Sequence, residues 1–191
     1  MARMITLYHA PRSRSSRFIW LLEELETPYD VVAVTIRRRD GSGGPDPKNP
    51  HPDKKVPALV HDQRLVTESA AIALYLTDLF PERPLGAPLG DPRRGAYLTW
   101  LAFYAGVMEP AIAARFAGQA SPEIEAMDRR IVSALEAAPY LLGDAFSAAD
   151  LMLASVVQFS RAALPEASLI DEHFARASAR PAWRRALAKD E

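Results

Sequence analysis

The chain has 191 residues, 49% of them hydrophobic, with 23 Lys and Arg against 24 Asp and Glu for a formal net charge of -1. This is the composition of a globular protein of one large or two small domains; it provides no basic surface for nucleic acid or an anionic membrane, and no apolar run long enough to span a bilayer. There is no cysteine, so the chain makes no disulfide, thiolate metal site or mixed disulfide, and any thiol in its chemistry comes from a ligand.

Residues 4–8, Met-Ile-Thr-Leu-Tyr, read as a short buried strand. A turn through Ala10-Pro11-Arg12 leads into Ser13-Arg14-Ser15-Ser16-Arg17, and Phe18, Leu21, Leu22 and Leu25 then recur at helical spacing. Ser13 stands near the helix N-cap, and Glu26-Thr27-Pro28 ends the helix. Arg12, Arg14 and Arg17 crowd a helix start, where positive charge is unfavourable, which points to an anion nearby. Tyr29 to Ile36 is β-branched and apolar, a second strand parallel to the first in a βαβ unit. Arg37 to Pro52, with its glycines and prolines, is an irregular surface loop whose Arg37-Arg38-Arg39 run reads as a solvated edge, with a ligand-facing arginine as the alternative.

Lys55 to Ser69 is the most telling stretch. A Val56-Pro57 step feeds Ala58-Leu59-Val60, a polar turn follows at His61-Asp62-Gln63, and Leu65-Val66 runs into Thr67-Glu68-Ser69 at the start of a helix. That is a hairpin emptying onto a helix N-terminus. Proline entering a strand is tolerated only at an edge or at the first position, and an edge leaves the Val56 backbone able to pair with an extended peptide. The helix start suits a carboxylate or phosphate. Ile72, Tyr75, Leu76 and Leu79 mark that second helix, which stops before Pro81.

Residues 81–92 carry Pro81, Pro84, Pro88 and Pro92 with two glycines and read as a linker. From Arg93 the pattern is helical only. Tyr97, Trp100, Leu101, Tyr104, Ala105 and Met108 line a long helix that Pro110 kinks or ends. Ser121-Pro122-Glu123 starts another, with Ile124, Met127, Ile131, Leu135 and Ala138 as its core face. Ser147 and Asp150 form a capping-box pattern, with Phe146 and Leu151 as a hydrophobic staple, at the start of a helix apolar nearly all round. Residues 178–189 make a last short helix. His9, His51, His61 and His173 have no metal-ligand spacing and are read as structural or surface.

Three motifs in this order, Ser13 to Arg17 with Trp20-Leu21-Leu22-Glu23-Glu24-Leu25, Lys55 to Leu59 with Glu68-Ser69, and Ser147 to Asp150, make the chain resemble the soluble glutathione transferases of the serine-bearing bacterial and fungal kind. The resemblance implies an α/β plus all-α fold: a thioredoxin-like βαβ-ββα domain over 1–80, a linker over 81–92 and a helical bundle over 93–191. It implies a cytoplasmic homodimer that uses glutathione as co-substrate, without a metal, against a small hydrophobic electrophile.

Site roles follow only from that likeness. Val56, before a cis Pro57, would pair with the cysteinyl unit of glutathione; Glu68 would take the γ-glutamyl ammonium, Ser69 its carboxylate and Lys55 the glycyl carboxylate. Ser13 would be catalytic, its hydroxyl donating to the sulfur and favouring the thiolate; Ser15 and Ser16 are rivals for that role. Tyr104 and Met108 would line the electrophile pocket, although residues at this spacing are more often core. The alternative function is a silent binding or regulatory protein that kept the fold. Thiol-disulfide exchange by the protein's own side chains, and the cysteine-type transferase classes, are excluded by the lack of cysteine.

Overall fold

The computed structural model describes residues 4–190. In chain order its elements are β1 (Ile5–His9), α1 (Ser16–Leu25), β2 (Asp30–Ala33), β3 (Ala58–His61), β4 (Arg64–Thr67), α2 (Ser69–Leu79), α3 (Arg94–Phe103), a π-helical turn (Tyr104–Met108), α4 (Glu109–Phe116), α5 (Pro122–Ala137), α6 (Ala148–Ser160), a 3-10 turn (Arg161–Ala163), α7 (Ser168–Ser178) and α8 (Pro181–Leu187). They group into two compact units. One runs up to Ala73 and is completed by the segment from Pro181 onward; the other is Leu74–Arg180. No helix among the described residues is long and apolar enough to cross a membrane.

The first unit is built on a four-stranded sheet in the order β2-β1-β3-β4. β2 is parallel to β1, and β3 and β4 follow antiparallel. This is the thioredoxin-like arrangement. In β1 the alternate residues Ile5, Leu7 and His9 are buried, the period of a strand with one covered face. β2 is shorter than the apolar run 29–36 suggests: its partners Thr6 to His9 are used up by Ala33, and β1 then turns away at Ala10-Pro11. The β3–β4 hairpin turns through Asp62 and Gln63, both at positive φ, the backbone of a type I′ turn.

Helix α1 is covered by β1 and by α8. Phe18, Ile19, Leu21, Leu22 and Leu25 are all at most 2% exposed, and each such side chain contributes about 1.5–3 kcal/mol over an exposed one. Glu26 closes the helix in the left-handed conformation. α8 belongs to this unit, not to the helical one where the sequence alone places it. Its docking has a polar half as well as an apolar one. Glu23 accepts from Arg185 Nε (2.7 Å), Lys189 Nζ (2.5 Å) and the Tyr29 hydroxyl (2.7 Å).

Burial alone would raise the Glu23 pKa, but the hydrogen bonds from Lys189, Tyr29 and Arg185 outweigh it and hold the carboxyl below its ordinary value. The folded state therefore takes up this proton less readily than the unfolded chain. The cluster's contribution is complete above the unfolded Glu pKa of ~4.3 and is lost as pH falls through the lower folded value. Glu23→Gln is expected to cost about 1–2 kcal/mol at neutral pH. Urea midpoints of wild type and variant should converge on acidification; a gap that persists at low pH would assign the loss to packing instead.

The second unit is helical. The long helix foreseen from Arg93 is observed as α3, the π turn and α4. Glu109 N–H donates to Tyr104 O, five residues back, and the added residue carries Pro110 into the first turn of α4, where its missing N–H costs nothing. The insertion also rotates the register: Tyr104 and Met108 are buried at 3% and 2%, while Ala105 is turned outward. α5 starts as expected, with the Ser121 hydroxyl accepting from Ile124 N–H. α6 is buried from Ala148 through Val157. α7 has no counterpart in the sequence reading, because its buried stripe is Ile170, His173 and Ala177, too weakly apolar to register as a period. Residues 81–92 are irregular, and within them Leu85 is buried and accepts from Ala148 N–H at 2.7 Å.

Candidate functional site

The three serines, Lys55, Val56, Glu68 and Ser69 lie in the first unit. The β1–α1 loop and the approach to β3 meet through one residue. Ala10, just past β1, packs with Val56 and Val34, and its carbonyl accepts from the Ser13 hydroxyl at 2.7 Å. The candidate hydroxyl and the candidate backbone grip are thus built on the same anchor.

The three serines differ sharply. Ser15 is completely buried; its Oγ lies 2.9 Å from His9 Nδ1 and accepts from Ala10 N–H at 3.2 Å. Ser16 is also buried, accepts from Ser13 N–H at 3.1 Å and donates to Asp190 Oδ1 at 2.6 Å. Ser13 is half-buried; its Oγ accepts from Ser15 N–H at 3.2 Å and lies 2.8 Å from Ser15 Oγ. The helix N-cap is Ser15, whose side chain makes no capping bond; Ser13 stands one turn ahead of the helix proper.

An internal carboxylate stands at this helix start, held through the backbone of Arg12. Asp190 accepts from Arg12 N–H at 3.3 Å, and Arg12 itself sits at φ +54°. Arg14 is exposed and Arg17 is buried. Arg38 donates to Pro11 O at 2.9 Å, so one arginine of the 37–39 run braces the loop.

On the other side of Ala10, the Val56–Pro57 bond is cis. The edge expected from Pro57 is not found, since β3 is an inner strand paired on both sides; instead Val56 lies two residues before β3, outside the β1–β3 and β3–β4 ladders. Lys55 is exposed and faces Asp53 at 3.4 Å, with both side chains open to water, a contact worth little. Its backbone, by contrast, is fixed: the fully buried Asn49 donates to Lys55 O at 2.9 Å and accepts from His51 N–H at 3.0 Å. Asn49 is a positioning residue that the irregular 37–52 loop hides from sequence reading, since nothing local distinguishes it from a turn asparagine.

Glu68 is exposed and has φ +68°. A glutamate in the left-handed region is strained, and such strain concentrates at ligand clamps. Its carbonyl accepts from Ile72 N–H at 2.9 Å, so Glu68 closes the first turn of α2. Ser69 is the first residue of α2 and is buried to 9%, at the end of the helix where backbone N–H groups have no intrahelical partner. Tyr104 and Met108 belong to the second unit, on the π turn; the Tyr104 hydroxyl donates to Glu109. All four histidines are buried, and no cluster of three or more metal-ligating side chains occurs among the described residues.

Two domain models match the chain: the N-terminal domain of glutathione S-transferases over residues 3–78 and its C-terminal domain over residues 109–189. Glutathione S-transferase 3 of Schizosaccharomyces pombe is 41% identical over 73 residues, 38% of this chain, and the match spans only 29% of that protein's length. The glutathione S-transferase GstA of Escherichia coli is 27% identical over 165 residues, 82% of each chain. A sphingomonad glutathione S-transferase, solved in complex with glutathione, superposes with a TM-score of 0.78 at 25% identity over 97% of this chain and 98% of its own. With both domain models matched in order, and the sheet and helical units present, the chain belongs to the soluble glutathione transferase superfamily.

Proposed function

We propose that this protein is a serine-type glutathione transferase in which the Ser13 hydroxyl stabilises the thiolate of bound glutathione. The observation that carries the choice of Ser13 is the commitment of its neighbours. Ser15 and Ser16 are buried and spent on His9, Ala10 and Asp190, while Ser13 is half-open and can turn its proton from Ala10 O to a ligand sulfur. The glutathione-bound sphingomonad relative supports the co-substrate.

In this reading glutathione lies extended along Val56, adding a strand-like pair of backbone bonds. Its γ-glutamyl ammonium meets Glu68, its γ-glutamyl carboxylate meets Ser69 and the N–H groups opening α2, and its glycyl carboxylate meets Lys55. The thiol proton leaves to water. The sulfur lone pair then forms a bond to carbon of a small hydrophobic electrophile, and the displaced electron pair departs with the leaving group or onto the acceptor atom. A free thiol with pKa near ~8.5 is mostly protonated at neutral pH, so a hydroxyl donating to the sulfur raises the reactive fraction. The reading extends to a cytoplasmic homodimer engaged in detoxification, with Tyr104 and Met108 contributing to electrophile choice.

Ser13→Ala is expected to lower turnover about 10- to 100-fold, the value of one hydrogen bond to a charged group, while glutathione affinity changes little. Steady-state kinetics with a chromogenic aryl halide, and retention on immobilised glutathione, check the two halves. Retention with no turnover in the wild type would favour the binding-protein alternative; unchanged turnover in the variant would remove Ser13 from the chemistry.

A further inference from the structure

A chain of close polar contacts runs from the segment after α8 to the candidate catalytic hydroxyl. Asp190 follows α8 and is only 10% exposed at its side chain. Its Oδ1 accepts from Ser16 Oγ (2.6 Å) and Arg12 N–H (3.3 Å) and lies 3.2 Å from His9 Nε2. His9, 1% exposed at the end of β1, presents its other nitrogen to Ser15 Oγ at 2.9 Å, and Ser15 Oγ lies 2.8 Å from Ser13 Oγ. One carboxylate thereby touches both ends of the β1–α1 loop and the buried ring beneath it.

We propose that Asp190 is a positioning residue for the transferase reaction, fixing the Ser13 hydroxyl through the loop backbone, Ser16, and the His9–Ser15 pair. This rests on the assignment of Ser13 to the thiolate. Three features support it. First, Arg12 occupies the left-handed region at φ +54°, a conformation that persists in a non-glycine residue only where the surroundings hold it; Asp190 holds its N–H. Second, Ser16 links Asp190 back to Ser13, because Ser16 Oγ also accepts from Ser13 N–H. Third, Ser15 Oγ is enclosed by His9 Nδ1 (2.9 Å) and by the Ala10 carbonyl, to which it donates at 3.3 Å, so its proton is held inside the buried cluster and Ser13 is left as the donor to sulfur. Burial alone would raise the Asp190 pKa, yet bonds from His9, Ser16 and Arg12 N–H hold it below its ordinary value, so the group remains a carboxylate at neutral pH. The charged neighbours are accounted for: His9 comes from β1, the Arg12 contact is through its backbone, and Lys189 is turned to Glu23 and Tyr29.

The test uses the full chain and four variants: Asp190→Ala, Asp190→Asn, Ser13→Ala and the Ser13→Ala/Asp190→Ala double. Bound-glutathione ionisation is followed by thiolate ultraviolet absorbance against pH, alongside kcat and KM, with circular dichroism confirming folded protein. Asp190→Ala should raise the pH at which the thiol ionises and lower kcat roughly 10- to 100-fold, as small displacements of a reacting group do, with KM for glutathione within about twofold. Asp190→Asn, which keeps an acceptor for Ser16 and Arg12, should recover part of the loss. The double variant should be no worse than Ser13→Ala, since Asp190 acts through Ser13. The proposal is overturned if Ser13→Ala shifts the thiol while Asp190→Ala only lowers the melting temperature, if the two losses multiply, or if Asp190→Ala makes the thiol ionise more readily, the mark of simple charge repulsion. A Ser13→Ala protein indistinguishable from wild type overturns the Ser13 assignment itself, and with it this one.

Discussion

Asp150→Ala is expected to destabilise the helical unit by about 3–5 kcal/mol, the usual cost of removing one partner from a fully buried charged cluster. Asp150 and His173 are both completely buried. The carboxylate is filled: Oδ1 accepts from Leu141 N–H (2.7 Å) and faces His173 Nε2 (3.1 Å), while Oδ2 accepts from Ser147 N–H (2.9 Å) and Oγ–H (2.7 Å). One side chain therefore caps α6, ties in the segment after α5 and anchors α7. Alanine leaves four polar groups without a partner in the dry interior, each costing about 1–3 kcal/mol when unsatisfied, offset by whatever water enters. Asp150→Asn keeps the shape but sets an amide donor against N–H donors, so it should recover only a part. Urea denaturation at neutral pH checks both, and a loss below about 1 kcal/mol for alanine would mean the cluster is hydrated in solution.

Trp20→Ala should cost a similar amount, about 3–5 kcal/mol, in the other unit. Trp20 is 1% exposed, meets Trp183 edge-on with ring centroids 4.7 Å apart, and donates from Nε1 to Glu24 at 3.0 Å. The indole is an apolar link between α1 and α8, so its removal leaves a large cavity beneath Trp183. Trp183 is only half-buried, and Trp183→Ala should cost about 1–2 kcal/mol. The double variant should lose less than the sum, because the two rings support each other. If Trp20→Ala leaves α8 docked, turnover stays near wild type at low temperature. If α8 detaches, Asp190 leaves with it and the loss resembles Asp190→Ala. Limited proteolysis within 181–190 separates the two cases.

What sequence reading recovered depended on how local the signal was. The βαβ start, the hairpin, the Val56-Pro57 step and the caps at Ser121 and Ser147 each rest on residues within a few positions of one another, and each is where expected. α7 was missed because a buried histidine and alanine stand where leucines would have marked a face. The π turn was missed because one extra residue shifts the period without changing composition, and Ala105 was consequently placed inside. Ser13, Ser15 and Ser16 are alike in one dimension and differ only by their partners, notably a residue 174 positions further on in the chain. Asp190 makes its contacts only across such a distance, and Asn49 makes its own within an irregular loop; no periodicity encodes either.

The first unit is discontinuous in sequence: its sheet is complete by Thr67, yet α8 and Asp190 come from beyond Arg180. During synthesis the ribosome must therefore deliver the whole of Leu74–Arg180 before the β1–α1 loop can receive its carboxylate. The nascent sheet waits with the apolar flank of α1, Trp20 included, uncovered, while the helical unit can already close on itself. The unit that begins first is finished last, and a chain stalled anywhere in the helical half holds Val56, Glu68 and Ser69 without the carboxylate that braces the β1–α1 loop.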